Sequence, residues 1–387
     1  MTVLYILHQT ILMGGGTKSF LIMLQGLMQR GINPIVVMPD CKGVFSEIEA
    51  LKVPTVVTMY RDSTYPWVHS LKDVFLFLPR IVLHRIINFI AVRRISKSVS
   101  GLGVDLVHTN VSVCSIGFRV SRRLKIPHVY HIREYADKDF GLYFIPTRNL
   151  YLRQLSAKKS YSICITKDIQ RYFQQDNSNN SRVIYNGIQH AIAKRPQVSK
   201  KDFFLYAGRL VAAKGVMEML EAYYEYKSQA VHIYPIYIIG EQPDPVYFRR
   251  VKDYIKSRHL ENLVIICGQR ADIQDYMQHA KAIIIPSHNE GFGRCMPEAM
   301  FNGCLAVGRD TGGTHEQFEN GLELTGDEIA LRFNTNTQLA QHLLDISNHT
   351  PDHYQSMLER AFYTVNHLYS AESNVNNVYH FYKQILA

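Results

Sequence analysis

Short apolar runs recur along the chain, separated by longer stretches in which apolar positions return at helical spacing. In the first half the runs are VLYILH, PIVVMP, TVVTMY, DLVHTN, PHVYHI and YSICIT. Each is too short for an ordinary helix, and unbroken apolar character suits a strand buried on both faces, so they predict a parallel, doubly wound sheet. Between the first two, GGGTKS predicts a Gly-rich turn, and FLIMLQGLMQRG a helix ending at Gly31. A polar loop (174–182), VIYNGI and a basic, Pro-containing linker (193–201) precede a second series: DFFLYAGRL, a helix from about Gly215, IYPIYIIGE, NLVIICG, AKAIIIPS and GCLAVGRD. A last helix is predicted over SAESNVNNVYHFYKQILA. The fold class expected is α/β, with two Rossmann-like doubly wound parallel-sheet domains facing each other across a cleft.

Size agrees, because 387 residues exceed one ordinary core. Charge adds an asymmetry. Residues 1–200 hold 27 Lys+Arg against 11 Asp+Glu; totals of 43 and 33 leave 16 against 22, so the halves carry +16 and −6. A basic half suits nucleic acid or an anionic membrane surface. No zinc spacing, RNP-like motif or recognition helix supports nucleic acid, which is not expected as a partner. The six cysteines form no CxxC pair and predict reduced thiols, with Cys295 singled out as reactive by its place in a Gly-rich loop. No run approaches the roughly 18 uninterrupted apolar residues of a membrane span. The N-terminus lacks the basic region and cleavage site of a signal peptide, so a cytoplasmic protein is expected.

Three glycine-marked turns in the second half carry the candidate chemistry. In AGRLVAAKG, Arg209 and Lys214 follow a strand and supply the fork and the point charge that suit a diphosphate. In HNEGFGRCMPEAM, Glu290 and Glu298 bracket two glycines and Pro297, which predicts a loop and then a helix with Pro297 at its first position. Two carboxylates would repel a diphosphate, so they are expected to accept hydroxyls, Glu298 from a ribose and Glu290 from a second sugar. In DTGGTHEQF, Gly312 and Gly313 again open a helix after a strand.

With EGFGRCMPE placing its two glutamates eight apart, and with GGGTKS and VIYNGI, the chain resembles the group 1 retaining glycosyltransferases, glycosyltransferase family 4, which have the GT-B fold. The resemblance spans nearly the whole chain. It implies an acceptor-binding domain over 1–195, with helix 371–387 packing back on it, and a domain over 201–370 that binds the nucleotide-sugar donor. It implies that Arg209 and Lys214 hold the donor diphosphate, Glu298 the ribose and Glu290 the transferred sugar. Backbone groups of Gly291, Phe292 and Gly293 would approach the donor, and Gly14, Gly15 and Gly16 its phosphate from across the cleft. His131 matches a histidine near the reacting carbon, and His108 is a weaker candidate on the acceptor side. Pro297, and a strand GCLAVGRD without the common Pro-Val, depart from the family's pattern.

The implied reaction moves a sugar from a nucleotide diphosphate sugar to a saccharide or lipid-linked saccharide with retained configuration, in cell-surface polysaccharide or glycolipid synthesis. No metal or other cofactor is expected, and the DKD spacing at Asp137 and Asp139 is read as a solvated loop. The segment 79–101, with Arg80, Arg85, Arg93, Arg94 and Lys97 among apolar residues, is a candidate for an anionic membrane surface as well as for a solvated basic helix. Two rivals remain: a nucleotide-sugar epimerase of the same fold, and a basic nucleic-acid-binding protein.

Overall fold

The computed structural model describes residues 1–11, 14–66 and 71–387. The chain divides into two compact units, Met1–Gln189 with Ala371–Ala387, and His190–Ser370.

In unit 1 the strands are β1 (Thr2–Ile6), β2 (Asn33–Met38), β3 (Thr55–Val57), β4 (Thr64–Pro66), β5 (Leu106–Thr109), β6 (His128–Ile132), β7 (Leu142–Phe144), β8 (Ser160–Cys164) and β9 (Ser181–Val183). Seven form a parallel sheet in the order β3-β2-β1-β5-β6-β8-β9, and β4 pairs antiparallel with β7. The helix Gly15–Gln29 buries Phe20, Met23, Leu24 and Leu27, the stripe expected of 3.6 residues per turn. Helix Ala371–Leu386 belongs to this unit, with Val375, Val378, Phe381 and Tyr382 in its core. A Cβ on Gly26 would lie 2.4 Å from Val375 Cγ2, so the two helices meet where Gly26 has no side chain.

Unit 2 has β10 (Phe204–Ala207), β11 (Ile236–Ile239), β12 (Val264–Gly268), β13 (Ala282–Ile285), β14 (Leu305–Arg309) and β15 (Leu331–Phe333). Its sheet is again parallel, in the order β12-β11-β10-β13-β14-β15. In both units the chain winds outward in one direction and then returns to the far side of its first strand. The order therefore reverses between β1 and β5 and between β10 and β13, the switch points where open α/β sheets bind ligands. The loops after β1, β10 and β13 are those that hold the glycines, cations and carboxylates singled out above.

The boundary falls earlier than the basic linker, because residues 190–200 are tied to unit 2. Ile192 N–H donates to Asn366 Oδ1 at 2.9 Å, Arg195 pairs with Glu359 at 3.0 Å, and Lys200 Nζ donates to the Gln278 and Gly303 carbonyls. A Lys/Arg-rich stretch looks like a linker in sequence and serves here as a clamp.

Candidate active site

After β10 the chain makes a one-turn helix, Ala212–Lys214, and leaves it through Gly215 at φ +67°. A Cβ there would lie 2.1 Å from the Pro286 carbonyl oxygen, so only glycine lets this loop approach the end of β13. That approach brings Lys214 Nζ to 2.6 Å from Glu290 Oε1, with 22% and 17% of the two side chains exposed. Arg209 is exposed, and among the described residues its guanidinium makes no hydrogen bond or ion pair. The Tyr206 hydroxyl donates to the Arg209 carbonyl at 3.0 Å, which pins the backbone of the turn.

The helix after β13 is Cys295–Phe301, capped by Arg294, so Pro297 is its third residue and not its first. Proline is tolerated there because a first-turn N–H has no intrahelical acceptor. Glu298 stands in that first turn, and its Oε1 accepts from Nε and Nη2 of Arg294 at 3.1 and 3.0 Å. The loop after β14 completes the arrangement. Gly313 N–H donates to the Glu290 carbonyl at 2.7 Å, Thr311 Oγ1 to the His288 carbonyl, and Gln317 Nε2 to the carbonyls of Phe292 and Gly293. A Cβ on Gly313 would press within 2.7 Å of the Phe292 backbone. Phe292 is buried, packing edge-on against Tyr369.

Cys295 is not the reactive thiol its loop suggests. Its Sγ donates to the Ala207 carbonyl at 3.1 Å, and burial, followed by the charges of Glu298 and Glu290, pushes its pKa up to about 12. The opposing charges felt by the same sulfur are Lys214 and Arg294.

In unit 1, Gly14 caps the helix Gly15–Gln29 with extended backbone, and Gly15 and Gly16 are exposed in its first turn. A Cβ on Gly16 would touch Arg133 Cδ at 3.7 Å. His131 lies on β6 with no exposed surface. Its Nδ1 contacts His108 Nε2 at 3.2 Å and Arg133 Nη2 at 3.3 Å, and His108 Nδ1 meets the Tyr382 hydroxyl. The pattern that satisfies this row is Tyr382 O–H donating to His108, and His108 N–H donating to His131. His131 then carries its proton on Nε2, a buried atom without a partner among the described residues. Burial, then Arg133, then a nearby histidine (His128 for His108, His108 for His131) hold both imidazoles well below their ordinary pKa, so both are neutral.

Comparison with known proteins adds family to geometry. Residues 188–362 match the Glycosyl transferases group 1 family, and residues 13–191 match Glycosyltransferase Family 4. The chain superposes on Anabaena HepE in complex with UDP with a TM-score of 0.74, at 18% identity over 99% of this chain and 100% of that one. A glycosyltransferase from Rickettsia africae gives 0.75 at 18% identity, covering 100% and 98%. The chain is a GT-B glycosyltransferase. Among curated proteins, an uncharacterised glycosyltransferase of Methanocaldococcus jannaschii is 21% identical over 249 residues, 64% of this chain and 66% of that relative's length.

Further side chains of this glycosyltransferase gather beside the predicted residues. Arg133 is buried and reaches Asn110 and Asn186 as well as His131, joining three strand-end segments beside Gly16. Arg294 orients Glu298, and their i, i+4 spacing is legible in the sequence. Asp137 and Asp139 are not simply solvated: Asp137 accepts from the Tyr172 hydroxyl and Asp139 from the Tyr135 N–H. One group of metal-ligand type, Asp345, His349 and His353, has ligand atoms within 4.8 Å of one another, near the end of the helix Asn336–Asn348 and away from these loops in sequence.

Proposed function

We propose that this glycosyltransferase transfers a sugar from a nucleotide diphosphate sugar to a saccharide or lipid-linked saccharide, with the anomeric configuration retained, in cell-surface polysaccharide or glycolipid synthesis. The observation that carries the donor assignment is the convergence at the carboxyl ends of β10 and β13: Arg209, whose guanidinium has no partner among the described residues, and the Lys214–Glu290 ion pair. In this reading Arg209 and Lys214 stabilise negative charge growing on the leaving diphosphate. A diphosphate oxygen replaces the Glu290 carboxylate on Lys214, and Glu290 is released to accept sugar hydroxyls. Glu298, oriented by Arg294 through one oxygen, offers the other to a ribose. The glycine turn at Gly14–Gly16 supplies backbone amides to phosphate, and His131 supplies an N–H donor. No metal is assigned a role.

HepE was crystallised with UDP, and its likeness to this chain makes a uridine donor the first to try. The test is a thermal-shift panel of UDP-, GDP-, dTDP- and CDP-sugars: a true donor raises Tm as its concentration exceeds Kd. Proton NMR of the product anomer then reads retention. Release of an altered donor without acceptor would favour the epimerase reading. We further place the protein in the cytoplasm, attached through 79–101 to an anionic inner membrane surface.

A further inference from the structure

The helix Leu71–Ser98 of unit 1 is long, apolar and poorly covered. Its C-terminal half is anchored: Ala91, Val92 and Ile95 are buried, and the Asn88 side chain bonds both the N–H and the carbonyl of Arg61. Its N-terminal half is held from one side only among the described residues: Tyr65 packs edge-on against Phe77 and accepts from Arg80 Nη1 at 3.0 Å, and the other side is open. Phe75 is 81% exposed and Leu78 68%, and Val74, Val82, Leu83 and Ile86 continue the same open face. The face then changes character, ending in exposed Arg93, Arg94 and Lys97.

Beside this helix is a cavity of about 330 Å³. Phe89, Phe144, Leu150 and Tyr151 form apolar walls, and two cations reach it, Arg85 from the helix and Arg119 from the helix Ile116–Leu124. Both arginines are exposed, and neither guanidinium has a hydrogen bond or ion pair among the described residues. Phe89 belongs at once to the cavity wall and to the open face, 54% exposed, so the two are continuous.

We infer that the cavity is a seat for the anionic headgroup of a bilayer lipid, whose acyl chains run along the open face of the helix. This rests on the membrane attachment proposed above and gives it a specific ligand. Two guanidiniums without a partner among the described residues suit the oxygens of a phosphodiester, and the apolar walls beside them suit the start of its acyl chains. The exposed apolar stretch from Val74 to Ile90 is about 26 Å long at 1.5 Å per residue, short of a roughly 30 Å hydrocarbon core and interrupted by Arg80 and Arg85. By length and composition Asp73–Ser98 is a candidate to cross a membrane, but with Ala91, Val92 and Ile95 packed in the unit the helix is assigned to the interface.

The test is flotation of the purified full chain with phosphatidylcholine vesicles, alone and mixed with phosphatidylglycerol. The wild type is expected to bind the mixed vesicles, and Phe75→Ser/Leu78→Ser to lose that binding. Arg85→Gln/Arg119→Gln should weaken it tenfold or more, whereas Arg94→Gln/Lys97→Gln, with the same change of charge, should weaken it only a few-fold. Leu150→Trp, which fills the cavity and leaves charge alone, should match the Arg85/Arg119 pair. Thermal melts confirm that each variant is folded. If the Arg85/Arg119 and Leu150 variants bind no worse than the Arg94/Lys97 control, the headgroup seat is wrong while attachment stands. If the wild type ignores anionic vesicles, attachment fails, and the open face belongs to a protein partner.

Discussion

Replacing Lys214 with Ala tests the donor assignment most directly, because the structure gives that lysine two separable roles. Its ammonium is 2.6 Å from Glu290 Oε1, and more than three-quarters of each side chain is buried. Two unit charges at that distance attract by about 6 kcal/mol at an effective dielectric of about 20. Desolvation and side-chain ordering offset most of it, leaving on the order of 1–3 kcal/mol of stability that Lys214→Ala should remove. If the lysine also stabilises the leaving diphosphate, turnover should fall about 10²–10³-fold, as for other preorganised electrostatic groups. The double variant Lys214→Ala/Glu290→Ala separates the roles. Removing the stranded carboxylate should recover about 1–2 kcal/mol of stability, visible in urea unfolding as a coupling energy. Turnover should not recover at all. The reasoning is refuted if Lys214→Ala keeps wild-type turnover with a competent donor and acceptor, or if activity returns in step with stability.

Three further outcomes follow from the same geometry. Glu298→Gln keeps a hydrogen bond to Arg294 but loses its charge, so thermal stability should change by less than about 1 kcal/mol, whereas KM for the donor should rise about tenfold; an unchanged KM removes Glu298 from the ribose. Gly215→Ala must place a methyl against the Pro286 carbonyl at positive φ, so a loss of about 2–4 kcal/mol in chemical denaturation is expected, together with weaker donor binding as Lys214 is displaced. Asp62 is held up to about 7, first by burial and then by the Glu134 charge. A carboxyl whose folded pKa is raised favours the fold at low pH and loses that contribution as pH climbs from its ordinary range through about 7. Asp62→Asn should therefore raise Tm at pH 8, by the equivalent of about 1–2 kcal/mol, and change it little at pH 4; a larger gain at pH 4 would contradict the sign.

What the sequence made legible follows from which interactions are local. Continuous apolar runs such as IVVM and AIII exposed the buried parallel strands, because a strand covered on both faces needs apolar side chains on both. The three-residue strands β3, β4, β7, β9 and β15 carry too few positions for a period to show, and of these only Thr55–Val57 lies within a run that predicts a strand, TVVTMY. Glycine turns were legible for the same local reason: the backbone of Gly215 or Gly312 needs positive φ whatever surrounds it. Partnerships were not. Nothing in the spacing of Lys214 and Glu290, 76 residues apart, shows that they touch; the pairing exists because β10 and β13 are neighbours in a sheet whose order reverses there. The Tyr382–His108–His131–Arg133 row likewise needs a residue from the last helix beside two strands laid down hundreds of positions earlier. Individual groups could be nominated from local chemistry, but the choice between a solvated lysine and one held beside a carboxylate at a switch point is made by topology. Topology also explains why the exposed helix stayed ambiguous: Phe75 and Val92 look equally apolar, and only the packing of Asn88, Ala91, Val92 and Ile95 against the unit separates the covered end from the open face that begins at Val74.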